Sequence, residues 1–342
     1  MNKKIISGII IFILIATLIK GYSFYKNIYG KAIVKNGTLF INSTDNLLNV
    51  KTKLTQFINN SSNFEWIAEK KNYIKPKSGR YELKEGMSLN DLINLLRSGK
   101  QTPIKLSFNN QDTLEKLASR ISEQIEADSV SLLQSMQDMG FLESNGFDKK
   151  SALGMYIPNS YELYWNTSAE KFRNRMLKEY NRFWNEDRIS KARKLNLSKS
   201  EVLTLASIVQ KETVQKSERP IVAGLYLNRL RSNMPLQADP TVIYCLKEIN
   251  GPNFTVKRVL NKDLLIDSPY NTYKNSGLPP GVISMPDISA IDAVLNYKEH
   301  NFIYMCASIE NIGYHKFART LSQHNRNALQ YQQWINKRGI NR

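Results

Sequence analysis

The chain has 342 residues, 42% hydrophobic and 23% charged, which suits an ordinary globular protein of about two domains and excludes wholesale disorder, collagen and a multi-span membrane protein. Lysine and arginine number 48 against 30 acidic residues, and the net +18 favours an anionic partner: nucleic acid, a membrane surface or an acidic polymer. Two cysteines, Cys245 and Cys306, exclude a disulfide framework, and three histidines leave little from which to build a zinc centre, so neither a metal nor a cofactor is expected.

The chain opens on an apolar run, IISGIIIFILIATLI at residues 5–19, with Lys3 and Lys4 ahead of it. The run is shorter than the ~20 residues a bilayer core takes. Lys20 can snorkel, however, and Tyr22 and Tyr25 suit an interface, so Ile5 to Tyr25 spans. The alternative is a cleaved signal peptide; no A-x-A-like site follows, which favours an uncleaved anchor. Lys20, Lys26, Lys31 and Lys35 follow the span, and the positive-inside rule would keep the large domain in the cytoplasm, but long C-terminal domains cross largely regardless of charge. Charge alone leaves the orientation open.

After a connector over 27–37, TLFINS reads as a strand and Leu47–Ile58 as a polar helix. Arg80–Leu83 reads as a strand, Glu85-Gly86 as a turn, and Ser88 as the N-cap of a helix Leu89–Leu96 that Gly99 closes; Ile104–Phe108 is the next strand. Residues 111–145 have a helical pattern, with Leu114, Leu117, Ala118 and Ile121 on one face. GMYIPNSYELYW at 154–165 is aromatic and broken by Pro158, and 169–196 reads as one long basic helix. The dense Pro and Gly of MPLQADPT, DSPYNT and GLPPGVISMP marks loops of the kind that carry binding residues. FIYMCAS at 302–308 is a strand, Gly313–Phe317 a turn into a second one, and Ser322–Ile335 a closing helix. No RNP-like strand pair, zinc finger or recognition helix is present, and no nucleic-acid partner is expected.

Ser198 and Glu201 form a capping box that opens the helix SKSEVLTLASIVQKET. On a helical wheel Val202, Leu205, Ala206 and Val209 share one stripe, with Thr204, Ser207 and Lys211 opposite. Glu212 falls at the edge of the apolar stripe, on a boundary between core and cleft. Apolar neighbours and a helix C-terminus both raise a carboxyl pKa, and a carboxyl that stays protonated near neutrality is what a glycosidic leaving oxygen requires of a general acid. The alternative is a surface glutamate ending a helix, paired with Lys216.

Residues 203–244, LTLASIVQKETVQKSERPIVAGLYLNRLRSNMPLQADPTVIY, together with SPYNTYKNSGLPPG at 268–281 and GYHKFARTLSQHN at 313–325, resemble the YceG-like endolytic murein transglycosylases. That family's pattern runs LASIVEKE, ER-x-x-VAGVFxNRL, MPLQSDPTVxY, SPYNTYxxxGLPPGPI and GxHxFxxTxxEHN, and the match covers most of residues 154–330 in order. SGRYELKEGMSLNDLINLLRSG resembles the family's LysM-like, peptidoglycan-binding unit. GMYIPNSYELYW stands where the family has EGYLFPDTYxF; Leu153 replaces the acidic residue and Asn159-Ser160 replaces Asp-Thr. Gln210 stands at the first acidic position of EKE, and the family's catalytic glutamate maps to Glu212.

The resemblance implies an α+β fold: a tail and transmembrane anchor over 1–26, a LysM-like subdomain over 27–109 and a mixed α/β catalytic domain over 110–342. It implies cleavage of the β-1,4 bond between N-acetylmuramic acid and N-acetylglucosamine within peptidoglycan strands, leaving a 1,6-anhydro end, by one carboxyl acting as acid and then base. The large domain would lie outside the cytoplasm, anchored in the inner (plasma) membrane and beside glycan polymerases. Asn228 and Gln237 are candidates to bond acetamido or hydroxyl groups. Asp239 either orients such a donor or caps a helix that starts near Thr241. Tyr270, Asn271, Thr272 and Tyr273 resemble a sugar-facing loop. His315 and His324 read as core or loop-bracing residues. Two other readings stand beside this one: a wall-binding scaffold without activity, and a hydrolase with Glu218 or Asp239 as second carboxylate.

Overall fold

The computed structural model describes residues 3–338, so residues 1–2 of the expected tail lie outside the described residues. The first element is an apolar helix, α1 (Lys3–Tyr29), whose stretch Ile5–Tyr29 is long and apolar enough to cross a membrane. At about 1.5 Å per residue its length exceeds a ~30 Å hydrocarbon core.

The described chain divides into two units, each drawn from three segments. The first takes residues 1–106, 124–127 and 161–168. After α1 it runs β1 (Gly37–Ile41), α2 (Leu47–Leu54), α3 (Phe64–Lys70), β2 (Gly79–Leu83) and α4 (Leu89–Ser98). β1 and β2 pair antiparallel from Gly37↔Leu83 to Ile41↔Gly79. Alternation puts Leu39, Ile41, Tyr81 and Leu83 on the inner face, where they meet Val50, Leu54, Phe64, Ile67, Leu92, Ile93 and Leu96 from the helices. Ser88 caps α4 as expected, its hydroxyl accepting from the Asp91 amide, and Gly99 ends the helix at φ 71°, a left-handed conformation that favours glycine.

The second unit takes residues 107–123, 128–160 and 169–342. The boundaries between the units fall within β3 (Ile104–Phe108) and β4 (Asn159–Leu163). The stretch expected to be helical over 111–145 is three helices, α5 (Leu114–Ser122), α6 (Ser129–Met136) and α7 (Met139–Ser144), each started by a side-chain cap from Thr113, Asp128 or Asp138. The expected long basic helix is also two, α8 (Ala169–Phe183) and α9 (Glu186–Lys194), because the Asn185 side chain accepts from the Arg188 amide and starts a new helix there.

There follow α10 (Lys199–Glu212), α11 (Arg219–Arg231), α12 (Asp239–Asn250) and α13 (Ile288–Leu295), then the antiparallel hairpin β5 (Tyr304–Ala307) and β6 (His315–Ala318), and α14 (Leu321–Lys337). α13 follows the loop GLPPGVISMP, in a stretch to which the sequence reading assigns no element; Asp287 caps it and Ala290, Ile291, Val294 and Leu295 bury it. α10 is buried on every side from Val202 to Gln210, so Thr204 and Ser207 of the wheel's polar face are not solvated, while Lys211 is exposed. Ser207 Oγ donates to the Thr204 carbonyl and accepts from the Ile283 amide at 3.1 Å, and Gln210 donates to the Met285 carbonyl and accepts from the Asp287 amide. The polar side chains of α10 thus stitch the 283–287 segment to the helix.

Candidate active site

The capping box at Ser198 and Glu201 forms as expected and fixes the start of α10. Fourteen residues later the helix ends on Glu212, and Thr213 turns to an extended conformation (ψ 132°). The Glu212 carboxyl thereby projects from the last turn of a core helix, half-buried. Its partner is not Lys216: the Tyr226 hydroxyl, from the middle of α11, donates to Oε1 at 2.5 Å. Among the described residues no donor reaches Oε2.

Glu212 borders a cavity of about 220 Å³, walled by Tyr226 and Arg229 of α11, Gln237 and Asp239 at the start of α12, Tyr273, Met305–Ala307 of β5, and His315 at the start of β6. Close approach builds this wall. Gly224 lies where a Cβ would stand 2.5 Å from the Lys298 carbonyl oxygen, so the 298–303 segment runs directly along α11. His300 Nε2 bonds the Ile221 carbonyl, and Asn228 donates to the carbonyls of His300 and Phe302 at 2.7 and 3.1 Å. β5 follows immediately.

Burial lifts the Glu212 carboxyl from 4.5 to about 7; the Tyr226 hydrogen bond and the cations of His315 and Arg229 pull it down, and Asp239 pushes it up. Glu212 is therefore divided between acid and base near neutral pH. Tyr226 and Tyr273 are held protonated well above the ordinary phenol range, first by burial and then by the carboxyls of Glu212 and Asp239 respectively, and both remain donors.

Glu218, just before α11, is 3% exposed and grips His315 twice: Oε1 accepts from the backbone amide at 2.6 Å and Oε2 pairs with Nδ1 at 2.8 Å. Burial opposes a charged imidazole, but the Glu218 carboxylate prevails and raises the His315 pKa. Burial likewise opposes the Glu218 charge, and the His315 bonds lower its pKa below the ordinary value. His315 thus braces a loop and also faces the cavity; His324 stacks on Tyr304 and has no place in the cavity wall.

The other residues singled out in the sequence divide into two groups. Gln237, Asp239 and Tyr273 line the cavity. Gln237 does so at φ 49°, a conformation sparsely populated by residues with a side chain, anchored by its amide on the Thr272 carbonyl. Asp239 is the first residue of α12 and caps nothing; its Oδ1 accepts from the Tyr273 hydroxyl at 2.6 Å. Asn228, Thr241, Tyr270, Asn271 and Thr272 lie behind the wall. Thr241 and Thr272 share a hydroxyl bond at 2.9 Å, the Thr272 hydroxyl accepts from the Ala238 amide, Asn271 donates to the Leu264 and Ile266 carbonyls, and Tyr270 packs against Tyr244. Tyr226 and Arg229 were not among the residues singled out; in the sequence they look like one aromatic and one basic position of an apolar helix.

Cys245 is buried and Cys306 half-buried, and both are free thiols. Among the described residues no three His, Cys, Asp or Glu side chains converge as a metal-ligand set.

The arrangement can protonate and then deprotonate an oxygen held against Oε2, within a wall of fixed hydrogen-bond donors. The YceG-like family model matches residues 39–330. The endolytic murein transglycosylase of Bacillus subtilis (strain 168) is 30% identical over 295 residues, 82% of this chain and 79% of that protein. That of Streptococcus pneumoniae serotype 2 (strain D39 / NCTC 7466) is 30% identical over 295 residues, 78% of this chain, and the match spans about half, 53%, of that longer protein. The crystal structure of a putative yceG-like protein from Listeria monocytogenes superposes with a TM-score of 0.57 at 30% identity, covering 85% of this chain and 98% of that one.

Proposed function

Since this chain belongs to the YceG-like family, we propose that it is a membrane-anchored endolytic lytic transglycosylase of peptidoglycan, with Glu212 as its single catalytic acid and base. The observation that carries the reading is the Glu212 carboxyl, lifted to about 7, held at Oε1 by Tyr226 and bordering a cavity. Protonated Glu212 gives its proton to the glycosidic oxygen between N-acetylmuramic acid and N-acetylglucosamine as that bond breaks. The 2-acetamido group of the muramic sugar stabilises the anomeric carbon. Glu212, now ionised, takes the proton of the C6 hydroxyl as O6 closes on C1 to give a 1,6-anhydro end. The proton lent in the first half returns in the second, and no second carboxylate is consumed. Gln237, Asp239 and Tyr273 meet the sugars; Asn228, Thr241, Tyr270, Asn271 and Thr272 act through the walls they hold.

In this reading α1 is an uncleaved single-pass anchor, the catalytic unit is extracytoplasmic, and the first unit, with its β–α–α–β core, is the LysM-like part that holds the wall. One observation favours a second reading: Asp239 shares the cavity with Glu212, as a two-carboxylate hydrolase requires. Digestion of purified wall by wild type and by Glu212→Gln, read by mass, tests both. Anhydro ends with wild type and none with the variant, whose wall binding survives, support the proposal. Reducing ends favour hydrolysis, and undiminished release by the variant removes Glu212 from the mechanism.

A further inference from the structure

Lys20, Lys26, Lys31 and Lys35 follow the apolar run of α1, and the proposed catalysis uses none of them. An extracytoplasmic catalytic unit also sets them on the side of the membrane that the positive-inside rule leaves poor in lysine. Helix α1 fixes their depth. A hydrocarbon core of ~30 Å takes about 20 helical residues, so a span that starts at Ile5 leaves the core near Phe24. The helix continues to Tyr29 and closes at Gly30, whose amide donates to the Lys26 carbonyl at 2.8 Å. Ile28 is buried in the core of the first unit, so the end of the span is packed into that unit. The exposed Trp66 of α3 meets the Phe24 ring edge-on at 4.9 Å, and such aromatics belong at a membrane interface.

Just beyond that level a cavity of about 360 Å³ opens between the end of α1 and the 59–63 segment ahead of α3. Lys26, Asn27, Lys31, Asn59, Asn60 and Asn63 line it, and no acidic residue does. Among the described residues neither lysine has a carboxylate within 4.0 Å. The Asn63 side chain stands at the N-cap of α3 and caps nothing. Asn60 Oδ1 accepts from the Ser62 amide at 2.9 Å, leaving its NH2 group as the free end. Two ammoniums and amide donors gathered without a counter-charge suit a phosphate, and a bilayer spanned by α1 presents headgroup phosphates at this depth. A zwitterionic lipid would bring its own ammonium beside the two lysines, with no carboxylate in the lining to receive it. We infer that this cavity seats the headgroup of an anionic phospholipid from the leaflet at the C-terminal end of α1, with its acyl chains along the helix. The inference rests on the part of the proposed function in which α1 spans a bilayer, and not on the catalysis.

The full-length chain in detergent micelles is titrated with phosphatidylglycerol and with phosphatidylcholine of the same acyl chains, and bound lipid is counted by native mass spectrometry. Phosphatidylglycerol is expected to bind about tenfold more tightly. Lys26→Gln with Lys31→Gln is expected to abolish that preference, and Asn63→Leu to weaken phosphatidylglycerol binding about fivefold at unchanged charge. Lys35→Gln with Lys70→Gln removes the same charge outside the cavity and is expected to keep the preference; an equal loss there shows diffuse attraction and overturns the site. Equal binding of the two lipids by wild type also overturns it, and that comparison needs no variant to fold. Excess inorganic phosphate is expected to leave the lipid bound, because the acyl chains hold it along α1; displacement by phosphate alone overturns the lipid assignment. A chain that alkaline carbonate strips from vesicles lacks the spanning helix, and the inference falls with it; a carbonate-resistant chain without lipid preference loses the site alone. Lipid preference in a chain that digests no wall supports the inference and ends the catalytic reading.

Discussion

The folded chain holds the Glu212 proton more tightly than an unfolded one would, about 7 against 4.5. The neutral carboxyl's contribution to stability is fully present below pH 4.5 and is lost as pH rises to about 7, a shift worth about 3 kcal/mol. Glu212→Gln retains the shape and removes the charge. It is expected to be more stable than wild type at pH 8, by about that order, and indistinguishable from it at pH 4; parallel thermal melts check this, and equal melting at pH 8 contradicts a buried acid. The same shift sets the rate: with the protonated form required, kcat/KM is expected to fall about tenfold per unit above pH 7. Gln210, two residues earlier, uses both ends of its amide, donating to Met285 and accepting from Asp287. A carboxylate in its place keeps the acceptor, loses the donor and turns a charge toward a carbonyl. Gln210→Glu is expected to cost about 2–3 kcal/mol in denaturant unfolding, so the glutamine that departs from the family pattern is fitted to its neighbours.

Elements whose ends are written in local chemistry were legible from the sequence. Ser198 with Glu201 marks the start of α10, and Ser88 with Gly99 brackets α4, because a cap needs only residues within one turn. The break between α8 and α9 was also local, at Asn185, but the run of basic residues across it masked the cap. α13 was hidden by the proline and glycine around it, although Asp287 signals its start. The cavity was less legible, since its groups come from six separate stretches and their meeting is tertiary. His315 joins Glu218 across 97 residues, and Tyr226 meets Glu212 only through the packing of α11 beside α10. Gly224 governs a second contact of α11, with the 298–303 segment. Gly224→Ala sets a methyl 2.5 Å from a backbone oxygen, which must push the 298–303 segment and β5 away from α11. A loss of about 1–3 kcal/mol in stability is expected, with a fall in activity at temperatures where the chain is still folded; an alanine variant with wild-type melting and rate contradicts this account of the wall.

For the molecule as a whole, the proposed function brings the +18 charge and the apolar α1 together. A basic chain tethered at a bilayer beside a carboxylate-bearing polymer gains long-range attraction that salt screens within about 8 Å at physiological ionic strength. Binding of the full chain to isolated wall is expected to weaken as salt is raised, and salt-insensitive binding removes charge from the explanation. In the proposed reaction one carboxyl lends a proton and recovers it while the substrate's own hydroxyl, and not water, closes on the broken bond. Wall digested by wild type in ¹⁸O-labelled water measures this directly. Every new muramic end is expected to be an anhydro sugar without solvent oxygen; new ends carrying one ¹⁸O atom would contradict the proposed reaction.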